Sequence, residues 1–311
     1  MHSPKLETLI QEPVTFLFGA GASRDYGFPL WSELRSEFLK RLSPDIHGST
    51  YWLEALTDEK RAHLTLDQLT IDAMGKSKTL FQRIVSEVIM DCEAADMSSM
   101  KESWIEQFSL SLLELAKDHD LLTMIIQNVS FVSLNYDRCF DYRFGKSFVS
   151  KIPSVFPDDP WAIPAYTSTI NSAKFNTIHH CHGVPGGMIN HPWVDFKDCH
   201  VSGHTFLNRN KYTVIPYGDK TALEKRNWES GIISVDYAKK GQNTSYIHAH
   251  SQALNVAKNL IVIGLSTEGL SQSDIKINEK TKVYCNGPRP VRPLAKPIGD
   301  FAMDVIHNLT N

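Results

Sequence analysis

Short, continuous apolar runs bounded by turn residues recur along the chain and predict buried strands. Four runs are clear and one, at Thr177-Ile178, is weaker; the clear ones are Val14–Phe18, Ser130–Leu134, Leu260–Ile263 and Lys282–Cys285. Runs of four or five residues rich in β-branched and aromatic side chains are typical of strands that are buried on both faces, as in a parallel sheet.

Segments with helical spacing lie between these runs. Apolar residues three and four positions apart mark three helices, by Leu30, Leu34, Phe38 and Leu39, by Leu80, Ile84, Val85, Val88 and Ile89, and by Ile105, Phe108, Leu112 and Leu115. A fourth helical segment, about 246–260, leads into the strand at Leu260. Strands that alternate with helices predict an α/β fold with a parallel sheet.

The stretch 51–127 is too long for a simple crossover connection, so we predict a helical insertion packed beside the sheet, within a single domain spanning 1–311. Residues 153–241 are rich in proline, aromatics and histidine and have weak periodicity. We expect loops and short helices there, over the edge where the strands end. Ligands usually bind at that edge of an open α/β sheet.

Composition narrows the class of protein. Of 311 residues, 42% are hydrophobic and 22% charged, and 32 Lys and Arg against 35 Asp and Glu give a net charge of −3. This balance provides no global attraction to nucleic acid or to an anionic membrane. No apolar run near the start resembles a secretory signal and none approaches the length of a bilayer span, so we expect a cytoplasmic protein. Five scattered cysteines without a Cys-x-x-Cys pair argue against a disulfide framework and a four-cysteine zinc site.

A loop of small residues, Gly19-Ala20-Gly21-Ala22-Ser23, follows the first strand and precedes a helix. Small residues allow a diphosphate to approach the backbone, and the N-terminus of a following helix offers N–H donors to it. The dehydrogenase fingerprint needs a third glycine where the chain has Arg24. Two Gly-Lys-Ser triplets, at Gly75 and Gly145, lack the first glycine of a phosphate-binding P-loop. A tight turn without a ligand remains an alternative.

Four further short motifs follow in order, each close to a predicted strand or to the loop: Gly27-Phe28-Pro29, Asn135-Tyr136-Asp137, His182-Gly183 and Gly264-Leu265-Ser266. Together with the glycine loop they resemble the Sir2-like family, whose pattern is GAG-x-S, G-x-P, N-x-D, H-G and G-x-S. The resemblance extends over about 14–306. It implies a Rossmann-like parallel sheet of the Sir2 type, here with the helical insertion.

The resemblance also implies NAD as substrate and assigns a role to each motif. Gly19, Ala20, Gly21, Ala22 and the Ser23 hydroxyl would bind the phosphates. As catalytic residues, Asn135 would bind the nicotinamide ribose and orient a water, and His182 would act as general base. Asp137 would contact the carboxamide, Gly264 and Ser266 the adenosine half, and Asn286 its ribose hydroxyls.

Other roles are open for the same residues. Asn135 has the position of an ordinary turn residue, and Asp137 that of a helix cap. His179-His180-Cys181-His182, with Cys199, His200 and His204, raises the question of a zinc cluster. The spacings match no standard zinc motif, so we expect no metal. Trp31, Trp161 and Trp193 are candidates for lining a pocket.

Departures from the protein-deacylating sirtuins refine the prediction. The chain lacks the two Cys-x-x-Cys pairs of their zinc lobe and has Leu30-Trp31 and Leu134 where they have Phe-Arg and Gln. The pattern is most similar to the Sir2-like NAD hydrolases of bacterial antiphage defence. That similarity implies an NAD glycohydrolase that is active as a homo-oligomer or with an activating partner, such as a defence ATPase or a phage component. A non-catalytic NAD or ADP-ribose sensor is the alternative, as is a residual deacylase or ADP-ribosyltransferase.

Overall fold

A computed structural model describes a central sheet and the helices that surround it. The described residues are 5–61, 64, 66–70, 73, 75–99, 101–148, 178–181, 187–189, 212–214, 217–218, 253–265 and 277–285.

A five-stranded parallel sheet forms the centre of the fold. Its strands are β1 (Val14–Phe18), β2 (Val129–Ser133), β3 (Ile178–His180), β6 (Asn259–Ile263) and β7 (Lys282–Cys285), in the spatial order β3-β2-β1-β6-β7. The chain therefore builds outward from β1 in both directions, as in Rossmann-like folds. Two further short strands, β4 (Gly187–Ile189) and β5 (Tyr212–Val214), form an antiparallel pair.

The described residues include eight α-helices and two 3₁₀ helices. The α-helices are α1 (Leu6–Leu9), α2 (Trp31–Arg41), α3 (Ser49–Thr57), α4 (Leu66–Thr70), α5 (Lys76–Ser99), α6 (Trp104–Leu115), α7 (His119–Asn128) and α8 (Cys139–Ser147), and the 3₁₀ helices are Ala20–Tyr26 and Glu59–Arg61. None of the helices in this described part of the chain is both long and apolar enough to cross a membrane.

Both faces of the sheet are buried at β1, β2 and β6, whose alternate residues point to opposite sides. Phe16, Phe131 and Ile261 face one side, where they join a large hydrophobic cluster with residues of α2, α3 and α5 to α8. Leu17 and Val262 face the other side and pack in a smaller cluster with Ala253 and Leu254. Aromatic rings dominate the larger cluster: the Phe18 and Phe140 ring centroids are 4.3 Å apart.

The predicted α/β fold with a parallel sheet is confirmed. The four clear strands occur within one residue of their predicted bounds, and the weaker run at Thr177-Ile178 is close to β3. Most of the stretch predicted as a helical insertion is helical, from α3 to α7, and its buried side chains share the larger cluster with β1 and β2.

Other expectations fall largely outside the described residues. Of the helical segment predicted at about 246–260, the structure describes 253–265, where 253–256 are helical. Most of 153–241 lies outside, apart from β3, β4, β5 and a few adjacent residues.

Candidate active site

Ser23 joins two of the predicted motifs through hydrogen bonds. Its hydroxyl donates to Asp137 Oδ1 at 2.8 Å and accepts from Asn135 Nδ2 at 3.3 Å. The Asn135 amide also donates to the Gly19 carbonyl at 3.0 Å. All three side chains belong to buried residues. Residues more than 110 positions apart in sequence therefore meet at the carboxyl ends of β1 and β2.

The Gly-x-Ser motif that begins at Gly264, after β6, contacts the glycine loop through the backbone. Gly21 N–H donates to the Gly264 carbonyl at 2.9 Å, and Gly19 N–H donates to the Ile263 carbonyl at 2.9 Å. A Cβ on Gly264 would lie 2.0 Å from the Ala22 nitrogen, and Gly264 has a φ of +69°. Glycine is needed here both for its left-handed backbone and for the close approach of the two loops.

These contacts change the expected chemistry of the loop. The N–H groups of Gly19, Gly21 and Ala22 already donate to protein carbonyls, the last to Gly19 O at 2.8 Å. The Ser23 hydroxyl is engaged with Asp137 and Asn135. Phosphate binding by these groups stays a prediction, and it would require them to share or exchange their present partners.

The helical insertion holds the loop in place from outside. Trp104 Nε1, at the start of α6, donates to the Ala22 carbonyl at 2.7 Å. The Tyr26 hydroxyl, at the end of the first 3₁₀ helix, donates to Glu106 at 2.8 Å. The insertion thus fixes both ends of the segment that carries Ser23.

A cleft opens beside this network. Its polar side comes from Asn135 and Asp137, and the rest of its wall is mostly apolar; the lining residues are Ala20, Phe28, Pro29, Trp31, Leu34, Ile89, Leu134, Asn135, Tyr136 and Asp137. Trp31, predicted as a pocket candidate, packs edge-on against Tyr136, with ring centroids 5.9 Å apart. The glycine loop, the Gly-x-Pro segment and the Asn-x-Asp motif therefore contribute to a single cleft.

Asp137 combines a structural role with an unusual environment. Its Oδ1 accepts the N–H of Cys139, the first residue of α8, at 3.0 Å, which is an Asx turn immediately before the helix; the N-cap position itself is held by Arg138. Burial raises the pKa of the Asp137 carboxyl to about 6, although the hydrogen bonds from Ser23 and Cys139 and the charge of His180 lower it. A carboxylate with a pKa near neutrality in a cleft is a candidate for a functional role.

Asn135 Oδ1 is a buried acceptor without a partner among the residues that the structure describes. Its amide nitrogen is fixed by Gly19 and Ser23, so the oxygen is fixed as well. Buried polar atoms are normally hydrogen-bonded, and an unpaired one calls for an explanation. A hydroxyl group of a ligand would satisfy it.

A buried ionic network lies behind the cleft, and none of the sequence motifs predicted it. Arg138 pairs with Glu93, its Nε 2.9 Å from Oε1, and neither side chain is exposed. Arg143 pairs with Asp96 at 2.5 Å and with Glu106 at 2.7 Å. The sequence indication was the placement of Arg138, Asp141 and Arg143 among the aromatic residues Phe140, Tyr142 and Phe144.

Three predicted site residues, His182, Ser266 and Asn286, lie outside the described residues. The same holds for most of the histidine and cysteine positions considered for zinc. Within the described part of the chain, no group of three or more His, Cys, Asp or Glu side chains is arranged to hold a metal ion.

The fold and the site together define a Rossmann-like α/β protein with a candidate ligand cleft at the carboxyl ends of its parallel strands. No protein-family model matches the sequence, and a search of curated proteins found no match. Among solved structures, that of Sir2Tm bound to a propionylated peptide is similar, with 14% sequence identity and a TM-score of 0.42. The similarity covers 96% of this chain and 95% of that one.

Proposed function

We propose that the protein is an NAD glycohydrolase that releases nicotinamide and ADP-ribose. One observation carries the proposal: the glycine loop, the Gly-x-Pro segment and the Asn-x-Asp motif, ordered along the chain as in Sir2-like proteins, line one cleft. Gly264 of a fourth motif contacts the same loop. The cleft also lies where open α/β sheets bind their ligands.

The reaction breaks the bond between the anomeric carbon of the ribose and the nicotinamide nitrogen. The bonding electrons leave with nicotinamide, a water oxygen bonds to the anomeric carbon, and a base takes the proton from that water. The transition state resembles an oxocarbenium ion. Positioning of substrate and water contributes at most about 7–11 kcal/mol to such a step.

The described residues offer three of the functions that this reaction requires. The unpaired Asn135 Oδ1 would accept a hydrogen bond from a ribose hydroxyl. The Asp137 carboxylate would accept a hydrogen bond from the carboxamide N–H of nicotinamide. The apolar wall, with Trp31 and Pro29, would exclude bulk water from the leaving group. His182 remains our candidate for the general base.

An enzyme that destroys a central cofactor must be inactive until it is needed. We therefore include in the proposal a role as an NAD-depleting effector of antiphage defence, activated by self-assembly or by a partner protein. Two points support this role. The motifs follow the Sir2-like pattern but the sequence has no Cys-x-x-Cys pairs for a zinc lobe, and an NAD-cleaving enzyme that was always active would be toxic to the cell.

The experiment incubates purified protein with NAD and follows nicotinamide and ADP-ribose by chromatography over a range of protein concentrations. We expect equimolar products and a turnover per chain that increases with concentration if assembly activates. Asn135→Ala and His182→Ala should each reduce turnover about 100-fold or more. Asn128→Ala is the control, since that amide donates to the Ile10 carbonyl away from the cleft.

Equal turnover by the wild type and both site variants would show that the assigned residues are wrong. Binding of NAD without turnover, detected as thermal stabilisation, would instead favour the sensor function.

A further inference from the structure

The Ser23 hydroxyl has a single proton, and its neighbours determine which of them receives it. The Gly19 carbonyl can only accept, so its contact of 3.0 Å fixes the Asn135 amide with Nδ2 toward the glycine loop. The same nitrogen donates to Ser23 Oγ at 3.3 Å, which makes Ser23 the acceptor in that contact. The hydroxyl proton is therefore directed to Asp137 Oδ1, at 2.8 Å.

This arrangement opposes the phosphate-binding role that the glycine-loop motif assigns to Ser23. Ionised phosphate oxygens are acceptors, and they bind to groups that donate to them. Ser23 is 3% exposed and already donates its proton to a buried carboxyl group. Donation to a phosphate would leave Asp137 without that donor, and a buried polar group that loses its partner is costly.

The hydrogen bonds of Ser23 also determine what the cleft presents to a ligand. Asn135 Oδ1, on the other side of the amide from the fixed nitrogen, is the buried acceptor without a partner among the described residues. On Asp137, Ser23 and the Cys139 N–H both donate to Oδ1, so Oδ2 receives neither. Asn135 and Asp137 both line the cleft. Its polar side therefore presents acceptor oxygens, which suit a ligand that supplies N–H and O–H groups.

The backbone that carries the Ser23 hydroxyl is fixed on both sides. Trp104 Nε1 donates to the carbonyl of the preceding residue, Ala22, at 2.7 Å. The Ser23 carbonyl accepts the N–H of Phe28 at 3.4 Å, and Phe28 belongs to the apolar wall of the cleft. The hydroxyl is thus held in one position relative to the cleft that it serves.

We propose that Ser23 is a positioning residue of the NAD-cleaving site and not a phosphate ligand. By donating to Asp137 and accepting from Asn135, it orients both side chains so that their remaining oxygens receive the nicotinamide half of NAD. The proposal rests on the proposed function and deepens it, because it assigns to a loop residue the orientation of two residues of the cleft.

The test uses Ser23→Ala and two probes that each represent one part of NAD. Nicotinamide carries the carboxamide, whereas ADP carries the diphosphate and adenosine without nicotinamide. Titration calorimetry should show that nicotinamide loses about 10-fold or more in affinity, as expected when hydrogen bonds to a charged group are lost. The affinity for ADP should stay within about twofold of wild type. Unchanged nicotinamide affinity, or a loss for ADP as large as that for nicotinamide, would overturn the proposal.

Two further variants guard against a general effect on folding. Ser109→Ala removes another buried serine hydroxyl, which donates to the Ile105 carbonyl at 2.7 Å within α6, and should leave both affinities unchanged. Ser23→Cys keeps a side chain of similar size with a thiol that donates weakly, so it provides the same test if Ser23→Ala does not fold. It should also weaken nicotinamide more than ADP.

Turnover of NAD gives an independent readout. In Ser23→Ala we expect kcat to fall about 10-fold or more, with a smaller change in KM, because the oriented groups act on the half of NAD that reacts. A higher KM with unchanged kcat is the result expected of a lost phosphate contact, and it would overturn the proposal. A wild type that binds both probes in the expected pattern but does not cleave NAD would count against the proposed function, not against the role of Ser23.

Discussion

At the scale of single residues, the candidate site combines groups whose roles the sequence indicates with groups that only the fold reveals. Asn135 and Asp137 follow a predicted strand, so their place at the sheet edge could be predicted from the sequence. The hydrogen bonds that the Ser23 hydroxyl makes with both residues could not be predicted, because they depend on how a 3₁₀ helix orients that hydroxyl. His180 was one of several histidines in a row, and only its contact with Asp141 distinguishes it.

The ionisation of Asp137 predicts a conflict between stability and function. Its folded-state pKa of about 6 exceeds the ordinary 3.8, so the folded protein binds this proton more tightly than the unfolded chain. The associated stability is fully present below about pH 4 and is lost as the pH rises through about 6. Asp137→Asn keeps an acceptor oxygen for Ser23 and Cys139 and should raise the free energy of unfolding at pH 8 by about 1–2 kcal/mol.

Urea denaturation of wild type and Asp137→Asn at pH 4 and pH 8 measures this difference, which should vanish at pH 4. The same variant should bind NAD more weakly. A variant less stable than wild type at pH 8 would contradict the interpretation that burial dominates at this carboxyl.

Two glycines provide a matched pair at the same scale. Both have a positive φ, +69° at Gly264 and +90° at Gly27, but an added Cβ meets backbone 2.0 Å away at Gly264 and nothing within 4 Å at Gly27. Gly27→Ala should destabilise the protein by about 1–2 kcal/mol through backbone strain alone. Gly264→Ala should destabilise it by more than about 3 kcal/mol, because the glycine loop must also move. Equal midpoints of thermal unfolding for the two variants would refute the close contact.

At the scale of elements, alternation of apolar runs and helical spacing was sufficient to place the main strands and helices. Strand β1 occurs as predicted, and α5 covers its predicted residues but extends to Ser99, beyond the last periodic apolar residue, Ile89. The polar end of that helix is explained by its buried ion pairs. Glu93 pairs with Arg138, immediately before α8, and Asp96 pairs with Arg143 on α8; both arginines are more than forty positions away, a pairing that local periodicity does not encode.

The Glu93–Arg138 pair between α5 and α8 predicts a non-additive pair of substitutions. Either Glu93→Leu or Arg138→Met alone leaves a buried charge without its main partner and should destabilise the protein by about 3–5 kcal/mol. The double variant should recover most of this loss, since two apolar side chains of similar volume replace both charges. Chemical denaturation of all four proteins forms the cycle, and a double variant as unstable as the sum of the singles would contradict it.

At the scale of the whole molecule, the sheet has a rigid centre and more exposed margins. Strands β1, β2 and β6 are buried throughout, whereas Val283 in β7 is 43% exposed. The central position of β1 gives it a partner on both sides.

Hydrogen exchange measured by mass spectrometry should therefore find the amides of β1 and β6 the slowest, opening only when the whole protein unfolds. The amides of β7 should exchange faster, by local opening. Equal protection of β7 and β1 would show that the margin of the sheet is as stable as its centre.

The pairing of β1 with β6 also constrains the order of events during synthesis. Val14 lies beside Asn259, 245 positions later in the chain. A ribosome must therefore translate most of the protein before β1 acquires its second neighbour, and until then the apolar first strand presents an open edge that can pair with other chains. Gly264, whose carbonyl accepts a hydrogen bond from Gly21 in the glycine loop, is translated later still. The nascent polypeptide thus passes through a long aggregation-prone interval in which the sheet lacks a central neighbour and the candidate cleft is not yet held together.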